Sequence, residues 1–312
     1  MTAGPPVGMT IAGSDSGAGA GIQADIKAMA ALGVFATTAV TAVTAQNTVT
    51  VADVHHLPAA FVEAQIDALL DDLPVAAVKT GMLGTLEIIE MVGRRAAAGD
   101  LPNLVVDPVM VASTGRALLG DGGVPAYCRH ILPYALVVTP NLHEAALLAG
   151  TDITDITDID AMVEVARRIH EWGPAWVLVK GGHLAEGGSR ASGASPPSSI
   201  PDVLTDGTKV TVLTGPYVDT RNTHGTGCTL SAAIAARLAS GADVPRAVAD
   251  AKQYVHRALV GGAGWHLGSA RGPRPSHGPL DHLGWSDAST GEAVPTLRTP
   301  LPTPGTTTRR QQ

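Results

Sequence analysis

The amino-acid sequence predicts an α/β fold with a mostly parallel central sheet covered by helices on both faces. Three observations predict it. Short apolar runs such as residues 75–78 and 136–138 lack polar alternation, which suits strands covered on both sides. These runs recur in the order strand, polar loop, helix, so consecutive strands need right-handed crossovers and form a layered, doubly wound sheet. The loops after five of the strands carry Gly, Asp, Gln, Asn/Glu or Lys rather than plain turn residues, at the carboxyl ends where such sheets gather ligands. One polar strand end is ordinary; five together describe a site.

Composition sets the bounds. With 312 residues, 45% hydrophobic and 16% charged, the chain can build an ample core and fits one large α/β domain or two small ones. Aromatic residues make up 3%, so that core rests on Ala, Val, Leu and Ile. The net charge of −7 comes without a basic stripe, which argues against a nucleic-acid partner. Two cysteines, Cys128 and Cys228, make no disulfide framework and point to a reduced, cytoplasmic setting. The N-terminus has no charged and apolar leader pattern, and no apolar run reaches the roughly 18 residues that span a bilayer. The expectation is a soluble protein with no membrane partner.

Taken in order, residues 1–8 read as a flexible lead-in. Residues 9–12 form a short strand that breaks into a Gly-rich loop, Gly13 to Gly21, ahead of a helix over 22–32. Strand, glycine loop and helix make a ligand-binding turn, although the spacing is not that of a dinucleotide fingerprint. Asp25 is expected in the first turn of that helix, where the helix dipole alone would also favour a carboxylate. Residues 37–44 make a β-like run that ends at Gln46 and Asn47, on the same side as the Gly-rich loop. A carboxamide there can both donate and accept, which suits the edge of an aminopyrimidine ring. A helix over 58–70 follows, then a strand at 75–78 with Lys79 to Gly84 as its loop. Next come a helix over 86–98 and a strand at 104–106 that ends in Asp107 to Met110. Cys128 falls in a helical stretch as a small buried hydrophobe. The strand at 136–138 leads through Asn141 and Glu144 into a helix over 145–148, and that pair also reads as an N-cap with its capping-box partner. A helix over 160–172 and a strand at 176–179 end in Lys180, Gly181, Gly182 and His183.

The stretch from Asn222 to Ser231 follows a strand-like run at 210–213 and precedes an Ala-rich helical pattern over 230–238. Gly225 and Gly227 let the backbone curl and turn its N–H groups inward. The helix N-terminus adds about half a positive charge at the same place. Together these form an anion hole suited to a phosphoryl group. Cys228 stands at its mouth, where a thiol is biased toward thiolate. An ordinary glycine turn with a buried cysteine is the plain alternative for this stretch alone, and the other polar strand ends decide against it.

Seven segments carry a resemblance: TIAGSDSGAGAGIQADIK, TAVTAQNT, VKTGML, VVDPVM, VTPNLHEAALL, VLVKGGH and NTHGTGCTLSAAIAA. In this order and spacing they resemble the hydroxymethylpyrimidine/phosphomethylpyrimidine kinase family, a branch of the ribokinase-like fold. The likeness covers roughly residues 9–283, and the stretch from Ser276 to His282 looks like a slightly altered family ending. The resemblance implies a ribokinase-like three-layer sandwich that uses ATP and Mg²⁺ to phosphorylate a pyrimidine alcohol and then its monophosphate, in thiamine biosynthesis. It implies that Gln46 binds the pyrimidine edge, with Gly13, Ala20, Asp25, Thr44, Met82 and Val109 lining the pocket. It implies that Cys228 stands where the wider ribokinase-like group carries an aspartate base, with Gly225 and Gly227 as the anion hole. Lys180, Asn141 and Thr226 are then expected at the ATP phosphates, and Glu144 and Asp107 at the metal. It implies a homodimer as well.

Two segments read as additions to one domain over 9–285: a Gly/Ser/Pro-rich flexible insertion over about 185–202, and a disordered Pro/Thr-rich tail over 286–312. His183 and His224 are read as hydrogen-bonding spacers outside the catalytic set. The nearest alternative enzyme is a pyridoxal or pyridoxine kinase on the same scaffold. A non-catalytic sensor on that scaffold would be expected to lack the glycines, Cys228 or Lys180, and all are present.

Overall fold

Strands β1 (Val7–Ser14), β2 (Phe35–Gln46), β3 (Val51–His56), β4 (Val75–Thr80), β5 (Val105–Val106), β6 (Val137–Val138), β7 (Trp176–Lys180), β8 (Ser199–Thr205) and β9 (Val210–Pro216) form one sheet. Their order across it is β3-β2-β1-β4-β5-β6-β7-β8-β9. The structure is a computed structural model, and it describes residues 4–110, 120, 122–182, 198–268 and 277–286. Among these, β2, β1, β4, β5, β6 and β7 run parallel, and antiparallel strands close both edges. The mostly parallel sheet expected from the short apolar runs is therefore what forms.

Among the described residues, eight α-helices cover it: α1 (Gly21–Ala31), α2 (Ala59–Asp72), α3 (Leu86–Ala97), α4 (Gly123–Ala126), α5 (Leu142–Ala149), α6 (Ile159–His170), α7 (Thr226–Ala239) and α8 (Val244–Gly262). They sort by the core they bury. Val62, Ile66, Ile89, Val92, Leu142 and Met162 of α2, α3, α5 and α6 pack on one face of the sheet. Met29, Ala233, Ile234 and Val248 of α1, α7 and α8 pack on the other. The result is a three-layer sandwich. With so few aromatic side chains, small residues let the layers approach closely, and Ala232 to Ala236 of α7 are fully buried.

Several boundaries differ from the sequence expectation. The lead-in is shorter, because Val7 and Gly8 pair with both β2 and β4. The expected insertion over 185–202 gives way to β8 at Ser199, whose Asp202 forms a buried pair with Lys252. Helix α7 starts at Thr226, four residues early, so Gly225 is its N-cap and Gly227 lies inside its first turn. Helix α5 starts early as well, at Leu142. Strand β3 and helix α8 were not anticipated. Cys128 is buried in a π-helical turn over Tyr127–Ile131. His183, residues 185–197 and the tail beyond residue 286 lie outside the described residues.

The packing of α3 against that π-helical turn sets a close-fit test. A methyl group on Gly93, in the interior of α3, would lie 2.6 Å from the His130 carbonyl oxygen and 2.7 Å from its Cβ. In an open helix Gly→Ala stabilises by up to about 1 kcal/mol. Here overpacking reverses the sign, and Gly93→Ala is expected to cost about 1–3 kcal/mol in urea denaturation with an unchanged m-value.

Candidate active site

Strand β1 lies between β2 and β4, so the chain turns back across it and opens a crevice at the carboxyl ends of these parallel strands. That is where ligands bind in open α/β sheets. Helix α7 packs on β1, β4 and β5 and brings its N-terminus to this crevice. Gly225 takes φ +84°, a left-handed conformation that costs other residues about 1–2 kcal/mol. A Cβ there would also drive into the Gly19 carbonyl. Glycine is thus required twice over, by conformation and by space. No side chain caps α7, and among the described residues the N–H groups of Gly227 and Cys228 make no hydrogen bond. Thr226, expected at the phosphates, has both donors engaged: its N–H and its hydroxyl donate to the Thr223 carbonyl. Within the first turn of α7, the N–H groups left to face an anion are therefore those of Gly227 and Cys228.

The expected thiolate is not favoured. Burial pushes the Cys228 thiol up to about 12, with the charges of Asp107 and Asp25 adding to the effect and the Lys79 ammonium and the Gly21 N–H opposing it. The residue keeps some exposed surface, but its sulfur is set among dense protein, and the cost of desolvating an anion exceeds the help from the helix dipole.

Two lysines bring compensating charge to the crevice. Lys180 ends β7 and holds Asp107 Oδ1 at 3.1 Å. Burial would lower its pKa, but Asp107 and Glu144 outweigh that and hold the ammonium above the usual lysine range. A Cβ on Gly227 would lie 3.1 Å from Lys180 Nζ and 3.8 Å from Asp107, so lysine, carboxylate and anion hole are neighbours. Asn141 and Glu144 form a complete capping box for α5, with Asn141 Oδ1 accepting from Glu144 N and Glu144 Oε2 accepting from Asn141 N. Burial pushes Glu144 up to about 7, Lys180 pulls it down and Asp107 pushes it up again. The expected cap is thus formed, and it leaves the Glu144 carboxyl buried near Lys180 and Asp107.

Lys79 is the second. It is not in a loop but near the end of β4, fully buried, with Nζ 2.8 and 3.0 Å from the two oxygens of Asp25. Thr10 donates a 2.6 Å hydrogen bond to the same carboxylate. Asp25 stands in the second turn of α1, not the first, and turns inward to this lysine. Burial alone would lower Lys79, but Asp25 more than offsets it, so the ammonium persists.

A divalent cation can be tested against these donors. Asp107 and Glu144 are two buried carboxyl groups, the Asp107 charge adding to the cost of ionising Glu144, and no group of three or more His, Cys, Asp or Glu suited to a metal occurs among the described residues. Two carboxylates fit Mg²⁺, which keeps several waters and shares phosphate oxygens.

The Gly-rich loop, expected as a ligand-binding turn, is held by one of its own side chains. Its own Asp15 fills it: Gly17 N donates to Oδ1, and Gly19 N and Ala20 N donate to Oδ2. His224 Nε2 lies 2.9 Å from the same Oδ2 and 3.3 Å from Gln46 Nε2. Gln46 is half-buried at the end of β2, and Thr44 beside it donates to the Ser14 carbonyl. Gly13 meets Met82, whose Cε would lie 2.5 Å from an added Cβ. Val109 is half-buried just past β5. Gln46, Gly13, Ala20, Thr44, Met82, Val109 and Asp25 thus all sit at one end of the sheet. At the chain's far end, His282 Nε2 lies 2.9 Å from Thr229 Oγ1, next to Cys228.

Sequence reasoning missed Asp15, Lys79, Asp202 and Ser231, whose hydroxyl donates to Asp107 Oδ2 at 3.3 Å. One signal was available. The chain has five lysines, and Lys27, Lys79, Lys180 and Lys252 all bond inward in the fold.

The three-layer sandwich with this crevice defines a small-molecule kinase of the ribokinase-like class. Comparison with known proteins narrows it. The phosphomethylpyrimidine kinase family model matches residues 15–275, and the chain belongs to this family. The hydroxymethylpyrimidine/phosphomethylpyrimidine kinase of Streptomyces coelicolor is 45% identical over 282 residues, 90% of this chain and 96% of that one. Among solved structures, Staphylococcus aureus pyridoxal kinase in complex with AMP-PCP and pyridoxal superposes with TM-score 0.76 and 35% identity, covering 91% of this chain and 95% of that one. Phosphomethylpyrimidine kinase from Clostridium difficile superposes with TM-score 0.69 and 36% identity, covering 81% and 99%.

The Asp15 cluster gives a pH prediction. Burial would raise this carboxyl, but the His224 contact and the Ala20 and Gly17 N–H groups outweigh it, and it lies below its ordinary 3.8. A depressed carboxyl stabilises the fold fully above 3.8 and loses that contribution as pH falls through the folded value. The difference in melting temperature between the wild type and Asp15→Asn is therefore expected to be constant above about pH 5 and to shrink in more acidic buffer.

Proposed function

We propose that this protein transfers a phosphoryl group from ATP to 4-amino-5-hydroxymethyl-2-methylpyrimidine and then to the resulting monophosphate, giving the diphosphate for thiamine biosynthesis. The observation that carries the proposal is the uncapped N-terminus of α7, aimed into the β1/β4 crevice with Lys180 and Asp107 beside it and Gln46 3.3 Å from His224, just ahead of that N-terminus. Membership of the family supports the substrate.

Phosphoryl transfer asks the protein mainly for position and charge. The Gly227 and Cys228 N–H groups offer donors where negative charge builds on the transferred group. Lys180 adds a full positive charge within reach of that hole. Asp107 and Glu144 would hold Mg²⁺, which when bound supplies neutralisation of the nucleotide phosphates. Gln46 holds the ring, and Gly13, Thr44, Met82 and Val109 shape its pocket.

Cys228 faces the substrate hydroxyl in this scheme. With its thiol pushed up to about 12 it carries its proton at neutral pH, and a thiol that keeps its proton cannot take another. With its proton in place it orients the hydroxyl. A base role requires that the thiol first be ionised, which Lys79 favours and the charges of Asp25 and Asp107 oppose. Cys228→Ala is expected to lower kcat about 10²-fold with little change in KM for ATP, and Cys228→Asp to restore part of the loss. Near-normal turnover by Cys228→Ala would remove the residue from the mechanism.

The assignment itself is tested by incubating the protein with ATP, Mg²⁺ and hydroxymethylpyrimidine and resolving monophosphate from diphosphate. Both are expected, in sequence. Absence of either product from this substrate and from its monophosphate would refute the assignment. Higher kcat/KM for pyridoxal would transfer it to the vitamin kinase that the Staphylococcus aureus neighbour's fold also accommodates.

A further inference from the structure

We infer that Asp15 and His224 set the ring specificity of this site, as positioning residues that keep the Gln46 carboxamide open for the substrate. The inference rests on the proposed function in one respect, that Gln46 faces the ring.

Asp15 is 3% exposed, and its carboxylate takes hydrogen bonds from the N–H groups of Gly17, Gly19 and Ala20. An ionised carboxylate only accepts. Its partner 2.9 Å away, His224 Nε2, must therefore carry a hydrogen toward it, whether the ring is neutral or charged. The depressed Asp15 carboxyl is consistent with that state. The same nitrogen lies 3.3 Å from Gln46 Nε2. A nitrogen that donates to Asp15 has no lone pair left to accept from the amide. The Gln46 N–H donors are consequently not consumed by the closest side chain, and they stay available to a ligand.

The rest of Gln46 is held still. Ser16 Oγ donates to its backbone carbonyl at 2.7 Å and accepts from its backbone N–H at 2.8 Å, and Thr44 Oγ1 lies 3.3 Å from the side-chain Oε1. His224 is itself fixed, with its backbone N–H on the Gly278 carbonyl and its ring against Gly19, where a Cβ would collide with it. The result is a carboxamide offering an N–H beside a carbonyl lone pair. That pair matches a ring nitrogen next to an exocyclic amine, as in an aminopyrimidine. A pyridine ring bearing a hydroxyl and no amine lacks the second partner. If His224 were freed from Asp15 it could take the other tautomer, accept the amide hydrogen and close Gln46 to the substrate.

The test uses the full chain. His224→Leu removes the donor to Asp15, and His224→Gln replaces it with an amide N–H. In His224→Leu the Asp15 carboxylate loses the imidazole hydrogen and can accept the Gln46 amide hydrogen in its place. KM for hydroxymethylpyrimidine is then expected to rise about tenfold or more, the cost of that misdirected polar contact, with KM for ATP within about twofold. Its preference over pyridoxal is expected to fall by the same factor, and His224→Gln to recover most of both. Equal changes in both substrates' KM, or none, would overturn the inference. A second readout needs no turnover: the ¹⁵N imidazole spectrum, assigned by difference with His224→Gln, is expected to show Nε2 of His224 protonated. An unprotonated Nε2 overturns the inference even if His224→Leu fails to fold. Should the wild type phosphorylate only pyridoxal, the proposed function falls, while the spectrum still decides where the proton lies.

Discussion

The site depends on how closely Gly225 approaches the carbonyl of Gly19. That contact leaves no room for a side chain, and it joins the loop after β1 to the turn before α7, two segments about two hundred residues apart in sequence. Everything with chemistry is hung from it. On one side the loop is wound around Asp15, which reaches His224 and through it Gln46. On the other, the first turn of α7 offers two unpaired N–H groups next to Lys180 and Asp107. Small residues throughout α7 let the helix sit deep enough on the sheet for this contact to form.

Buried charge is the second organising feature. Lys79 with Asp25, and Lys180 with Asp107, place ammonium groups under the crevice, the first fully buried and the second partly exposed. Removing one member of such a pair strands the other, at a cost of about 3–5 kcal/mol, so each is retained as a pair or not at all. The two pairs differ in use. Asp25 surrounds Lys79 with both oxygens and a hydroxyl from Thr10, a closed arrangement. Lys180 is less enclosed, has Glu144 nearby as a second carboxylate, and lies beside the anion hole. The closed pair fixes a field; the open one has capacity left for a phosphate.

The Cys228 thiol shows why local motif logic was insufficient. A helix N-terminus and a glycine turn both favour an anion, and from sequence they are all that can be seen near this residue. The fold adds two carboxylates and dense surroundings, and desolvation outweighs the dipole. The same holds for the Gly-rich loop, whose backbone donors look available in sequence and are taken by Asp15 in space.

Much was legible in the sequence. The apolar runs at 75–78, 136–138 and 176–179 and the polar residues that follow them determine a parallel sheet with its ligand residues at one end, because strand period and burial are local properties. The Asn141–Glu144 capping box is local too, spanning a single helical turn. Gln46, Lys180, Asp107 and Cys228 could be named because each follows or precedes a recognisable element. What tertiary structure alone decided is which of these residues meet and in what state of charge. Lys79 had no local sign of burial. Strand β3 ends in two exposed histidines and has no apolar face to announce it, and Asp202 lay in a stretch whose composition read as loop. The pairing of Asp15 with His224, and the height of the Cys228 thiol, depend on distances set by packing across the sheet, which no single stretch of the chain encodes.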